Sequence, residues 1–124
     1  METPYYFDDN MKSKKELKEE YKQMKFPMGV FQVRNLTNDK VLIDNSTDML
    51  SKWNRHKMEL NFGGHRNVTL QKDWTAQGED NFVFEVLSEL KNKDDEQDVN
   101  YTKELRVLQK MVIEEMSIPQ ERMY

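Results

Sequence analysis

Lys52, Arg55 and His56 lie within little more than one helical turn of each other. His65 follows a pair of glycines, Gly63 and Gly64, and Arg66 comes next. Lys103, Arg106 and Lys110 recur at i, i+3 and i+7, a spacing that puts three cations on one helical face. Arg34 sits in a β-rich run. Cations grouped in this way can hold the phosphates of a nucleic-acid backbone through an attraction that salt weakens. The same residues also make an ordinary solvated helix surface, and both readings stand at this point. His56 falls on the apolar side of its segment beside Trp53, where a histidine usually serves as a core residue with one ring nitrogen hydrogen-bonded. His65 is placed either to reach a ligand or to support a turn. The two histidines are far apart in the chain and have no acid at ligand spacing, so they make a poor zinc pair and no metal site is assigned. Trp53 and Trp74 read as core residues rather than base-stacking platforms. There is no cysteine, no glycine-rich phosphate loop and no Ser-His-Asp order.

These residues need a frame. The chain has 124 residues, one domain's worth. A domain of this size buries roughly two-thirds of the surface its unfolded form exposes. The net charge is −4, so any nucleic-acid contact has to come from a local basic face and not from the whole molecule. Without cysteine there is no disulfide framework and no thiolate metal centre. No apolar run approaches the ~18 residues of a membrane span, and the first residues lack the layout of a signal peptide. The expectation is a soluble, cytoplasmic protein with no membrane partner.

The centre of the frame is the stretch from Met28 to Ile43. Two β-rich runs, Gly29–Arg34 and Lys40–Ile43, flank a turn made by Asn35, Thr37, Asn38 and Asp39, whose short polar side chains satisfy nearby backbone groups. That pattern predicts a hairpin. A capping-box pair, Ser13 and Glu16, opens a helix over about Lys14–Met24, and Phe26-Pro27 ends it. A second helix is predicted over about Thr47–Leu60, with Met49, Trp53, His56 and Leu60 inward and Lys52, Arg55 and Glu59 on an adjacent stripe. A third runs over about Asn67–Gln77, with Gly78 at its end. Asn81–Leu87 alternates as a strand, 91–100 is a charged loop, and a last helix covers about Tyr101–Met116. The fold class is therefore α+β: roughly three antiparallel strands flanked by helices, with an extra N-terminal helix. Residues 1–12 read as a flexible tail carrying Tyr5, Tyr6 and Phe7, 13–27 as the extra helix, 28–118 as the domain and 119–124 as a second tail.

From Gly29 to Val112 the chain resembles the GIY-YIG nuclease family, the fold of phage intron-homing endonucleases. Gly29-Val30-Phe31 stands where the family has Gly-Ile-Tyr, and Leu42-Ile43-Asp44 where it has Tyr-Ile-Gly. Trp53, Arg55 and His56, then Gly64-His65 and Leu70-Gln71, continue the series in order. The resemblance implies a hydrolytic centre built from two tyrosines, an arginine on the first core helix and a metal-binding glutamate on the last. On the matching positions this chain has Phe31, Leu42, Lys52 and Lys110. Neither Phe31 nor Leu42 carries a hydroxyl. Lys52 lacks the planar fork of arginine, and Lys110 cannot ligate a hard cation. Asp44 replaces the last glycine, where it could cap the following helix or oppose a phosphate.

Three functions compete at this stage. The first is a catalytically degenerate, non-cleaving module that binds a DNA or RNA backbone through Arg34, Lys52, Arg55, His56, His65, Arg66 and Lys110, with no cofactor. The second is a scaffold of the same fold that binds a protein partner. The third is a residual divalent-metal endonuclease, needing Mg2+ and acids such as Glu85, Glu104 or Glu114.

Overall fold

A computed structural model describes residues 27–91 and 101–124. The expected N-terminal helix, the aromatic tail and nearly all of the charged loop at 91–100 lie outside the described residues. Within them the strand–turn–strand pattern forms a hairpin: β1 is Gly29–Asn35 and β2 is Val41–Ser46, paired antiparallel with Phe31 opposite Asp44 and Val33 opposite Leu42. The turn uses the expected chemistry. Asn35 Oδ1 accepts from Thr37 N–H at 2.8 Å, Asn38 Oδ1 accepts from Lys40 N–H at 2.9 Å, and Asp39 takes the left-handed conformation at φ 60°.

Two helices follow, α1 (Met49–Phe62) and α2 (Val68–Gln77). The N-cap of α1 is Asp48, whose carboxylate accepts from Ser51 N–H at 3.1 Å. Gly63 ends α1 in the left-handed region at φ 82°, where a side chain would be strained. Asn67 caps α2 by accepting from Leu70 N–H at 3.0 Å. Strand β3 (Phe82–Glu89) then pairs antiparallel with β1, giving the order β2-β1-β3, and α3 (Thr102–Met116) completes the domain.

The alternation in β1 divides the core. Phe31 and Val33 face α1 and α2, and pack with Met49, Leu60, Leu70, Trp74 and Phe82. Val30 faces α3 and packs with Val41, Ile43 and Val112. β1 is therefore the central strand of the sheet and the wall between two hydrophobic layers. The pairing of β1 with β3 shifts register between Val30 and Phe31. Beside that irregularity Gly29 lies against the β3 backbone. Among the described residues, no helix is long and apolar enough to cross a membrane.

The residues after 118, read from sequence as a tail, pack on the sheet instead. Tyr124 N–H donates to Val41 O at 2.9 Å, and Met123 bridges to Val41. The Tyr124 hydroxyl donates to Asp73 at 2.6 Å and accepts from the fully buried Asn35 amide at 2.8 Å. Burial and the Asp73 carboxylate push the Tyr124 phenol up to about 12. The folded state therefore keeps a proton that the unfolded chain loses near pH 10, so this stability is intact below pH 10 and disappears as pH rises toward 12. Tyr124→Phe leaves the Asn35 amide unpaired. It is expected to cost about 1–3 kcal/mol at neutral pH and to flatten the alkaline limb, as read by urea titration across pH.

Candidate functional site

The face of the sheet under α1 gathers most of the chemically capable residues. Asp44 projects from β2 on the same side as Phe31. Lys52, His56 and Glu59 lie one turn apart on α1, and His65 sits in the short connection to α2. The Asp44 carboxylate is taken twice, by His56 Nε2 at 2.9 Å and by Lys52 Nζ at 3.6 Å, and its other oxygen accepts from Asn45 N–H at 2.8 Å. Burial alone would raise its pKa. The His56 hydrogen bond, the Asn45 N–H and the Lys52 charge outweigh burial and hold it below the ordinary carboxylate range. Asp44 thus neither caps α1 nor stands free.

The two histidines touch. His56 Nδ1 lies 2.8 Å from His65 Nε2, although nine positions separate them in the chain. Both are buried, His56 5% and His65 6% exposed, so His65 does not reach outward as its place after two glycines suggested. The Gly63–Gly64 turn folds it back instead, and Gln71 holds its N–H at 3.0 Å. Asn67 N–H donates to His65 Nδ1 at 3.0 Å. That bond settles the proton positions along the chain. His65 Nδ1 is an acceptor, so Nε2 carries the hydrogen and donates to His56 Nδ1. His56 Nε2 then carries the other hydrogen and donates to Asp44. Burial, and next the neighbouring His56, pull the His65 pKa below that of a free imidazole.

Glu59 Oε1 stands 4.0 Å from His65 Nε2, so His56, Glu59 and His65 could in principle surround a cation, all three ligand atoms falling within 4.8 Å of one another. This corrects the view that the histidines are far apart and lack an acid. The proton arrangement argues against a metal all the same. A neutral His65 that ligates through Nε2 must carry its hydrogen on Nδ1, where it would meet the Asn67 N–H.

Other predicted residues scatter. Arg34 lies on the opposite face of the sheet, with Val41 and Val83 as cross-strand neighbours, and is held by Glu85 at 2.8 and 3.1 Å. It does not share a mouth with Lys52. Glu85 also accepts from Gln32 at 2.9 Å, and the Arg34 hydrogen bonds hold its pKa low. Arg55 is exposed, with Nε 3.6 Å from Glu59 Oε2, and Arg66 is exposed. Lys110 points outward from α3 along a shallow groove shared with Arg106, Gln109, Ile113 and Glu114. Gln109 of α3 hydrogen-bonds to β2, a contact that sequence reasoning missed. It donates to Ile43 O at 3.0 Å and accepts from Asn45. The Lys110 ammonium has no lone pair to offer a Mg2+ ion, which takes oxygens, and the Gln109 amide oxygen is already engaged by Asn45.

A curated relative, Intron-associated endonuclease 1 of Enterobacteria phage T4, is 33% identical over 64 residues, which is 50% of this chain and 25% of that protein. A structure of the catalytic domain of the intron endonuclease I-TevI superposes with a TM-score of 0.59 at 24% identity, covering 74% of this chain and 86% of that one. The chain has a GIY-YIG-like nuclease fold. A second structure of that catalytic domain agrees, with a TM-score of 0.59 and 23% identity over 73% of this chain and 88% of the other. No family model matches the chain. The chain spans about a quarter of the length of the curated relative it matches. Phe31 is fully buried and Leu42 half-buried.

Proposed function

We propose that this GIY-YIG-like domain holds a nucleic-acid backbone without cleaving it. The observation that carries this reading is the state of Asp44. The Asp44 carboxylate is closed off by His56 and Lys52, directly across from Phe31 in the strand pairing. Hydrolysis of a phosphodiester needs a group to take a proton from water and a charge to stabilise the developing oxyanion. Phe31 and Leu42 offer no hydroxyl for the first task, and Lys52 is spent on Asp44 rather than open for the second. Binding then rests on the exposed α3 stripe of Lys103, Arg106 and Lys110.

Titrating labelled duplex DNA and RNA against the protein tests the proposal. Three cations on α3 predict a log–log salt slope of about −3, with Arg106→Ala lowering its magnitude by about one. Supercoiled plasmid stays intact with Mg2+ or Mn2+. No binding at low salt, or nicking by the purified chain, refutes the reading.

One observation favours a protein partner instead. Leu50, Met58 and Phe62 lie on the outer stripe of α1, and Phe62 is 86% exposed. If nucleic acid fails to bind, capture of a partner that Phe62→Ser abolishes supports this second function.

A further inference from the structure

We propose that the chain of hydrogen bonds from Asp44 through His56 and His65 to Asn67 is an acid-sensitive latch, and that taking up one proton opens the corner between α1 and α2. The four ring nitrogens of the pair offer two N–H groups and two lone pairs, and the neighbours use all of them: Asp44 accepts at one end and Asn67 N–H donates at the other. An added proton has only two places to go. On His56 Nδ1 it faces the His65 Nε2 hydrogen, donor against donor. On His65 Nδ1 it faces the Asn67 N–H. Either position removes a bond, and neither nitrogen has water to turn to, because both rings are buried.

The groups facing the pair act in both directions. Asp44 on β2 and Glu59 on α1 favour a charged ring, whereas Lys52 on α1 and Arg66 beside His65 oppose it. Burial adds to the opposition and gives the sign. His65 is harder to protonate in the folded chain than in the unfolded one. Stability is therefore complete above an unfolded-state pKa of about 6.5 and is lost as pH falls through the lower folded value. For one extra proton bound by the unfolded chain, the folding equilibrium constant falls up to about tenfold per pH unit in that window.

The latch joins α1 to α2 at the end near Gly63, beside the bond from Trp74 Nε1–H to Asn61 Oδ1 at 3.0 Å. His65 N–H donates to Gln71, whose amide donates to Leu60 O at 2.9 Å, and Gly64 N–H donates to Glu59 O at 3.0 Å. Releasing the rings loosens this corner first. The sheet, whose strands pair independently of it, stays closed. The chain contains two histidines and both are in the latch, so any histidine titration belongs to it.

The test uses the intact chain. At about pH 7.5, long-range proton–nitrogen spectra should show both Nε2 atoms protonated and both Nδ1 atoms bare. Between about pH 7.5 and 5, hydrogen exchange corrected for its intrinsic pH dependence should show His65, Asn67 and Leu70 amides losing protection at least about tenfold, while Val30 and Val33 hold theirs. His65→Gln should remove the pH dependence. If that variant does not fold, the wild-type spectra and exchange still decide. Three results overturn the latch: a hydrogen on His65 Nδ1, titration of both rings near 6.5 with protection unchanged, or stoichiometric zinc binding that shifts both rings at neutral pH.

Discussion

Gly29→Ala is expected to destabilise the domain by on the order of 3 kcal/mol, lowering its melting temperature by roughly 10–20 °C. The reason is space, not conformation. A Cβ at this position would collide with Ser88 O and lie 2.9 Å from Glu89 Cα, both backbone atoms of β3. A flexible side chain could move aside, but a paired strand cannot without giving up its hydrogen bonds. The register of β1 against β3 is irregular at the next position, between Val30 and Phe31, so β3 already approaches β1 closely there. Differential scanning calorimetry of the two proteins checks it, and a shift of only a few degrees would mean that β3 slides freely at its end. The first glycine of the Gly29-Val30-Phe31 motif thus has a structural duty that does not depend on catalysis.

Phe31→Ala should cost about 3–5 kcal/mol. The ring is fully buried, packs 5.2 Å from Phe84 between centroids, and presents an edge contact to His56 at 6.1 Å. Truncation leaves a cavity beneath α1 at the point where the two aromatic neighbours meet. Phe31→Tyr adds a hydroxyl at this position and separates stability from chemistry. The added hydroxyl enters a sealed site where both His56 nitrogens are already engaged, so it is expected to cost about 1–3 kcal/mol and to give no plasmid cleavage. Urea titration reads the first outcome and a Mg2+ incubation the second. If Phe31→Tyr were neutral in stability, the pocket would hold room that the present packing does not show.

Most of the fold was legible in the sequence because it follows from periodicity and punctuation. Period-2 alternation in 29–34 and 81–87, the Asn–Asp turn, and helical spacing in 49–60 and 101–116 each point to one element, and among the described residues the strands and helices appear where they were expected to within about two residues, except that β2 runs on from Ile43 to Ser46. The site was less legible. Arg34 could have been placed correctly, since it alternates with Val30 and Gln32 and not with Phe31, so the period-2 rule already puts it on the α3 side. Gln109 and Lys110 differ by one position, and on a helix that is a rotation of about 100°. An assignment carried across the 91–100 loop cannot resolve such a step. The contact between His56 and His65 had no local signal at all. It depends on the angle at which the chain leaves Gly63, and composition does not encode that angle.

The partition of the core by β1 has a spectroscopic consequence. The chain's two tryptophans, Trp53 and Trp74, both lie on the α1–α2 side, in edge contact at 6.3 Å, with Trp53 stacked at 5.9 Å on Phe84. Indole emission and the aromatic circular dichroism bands arising from this pair are therefore local observers of one layer. A perturbation confined to the α3 layer would pass unseen by fluorescence while the far-ultraviolet helical signal changed. Unfolding curves from the two signals coincide only if β1 passes the loss of one layer on to the other.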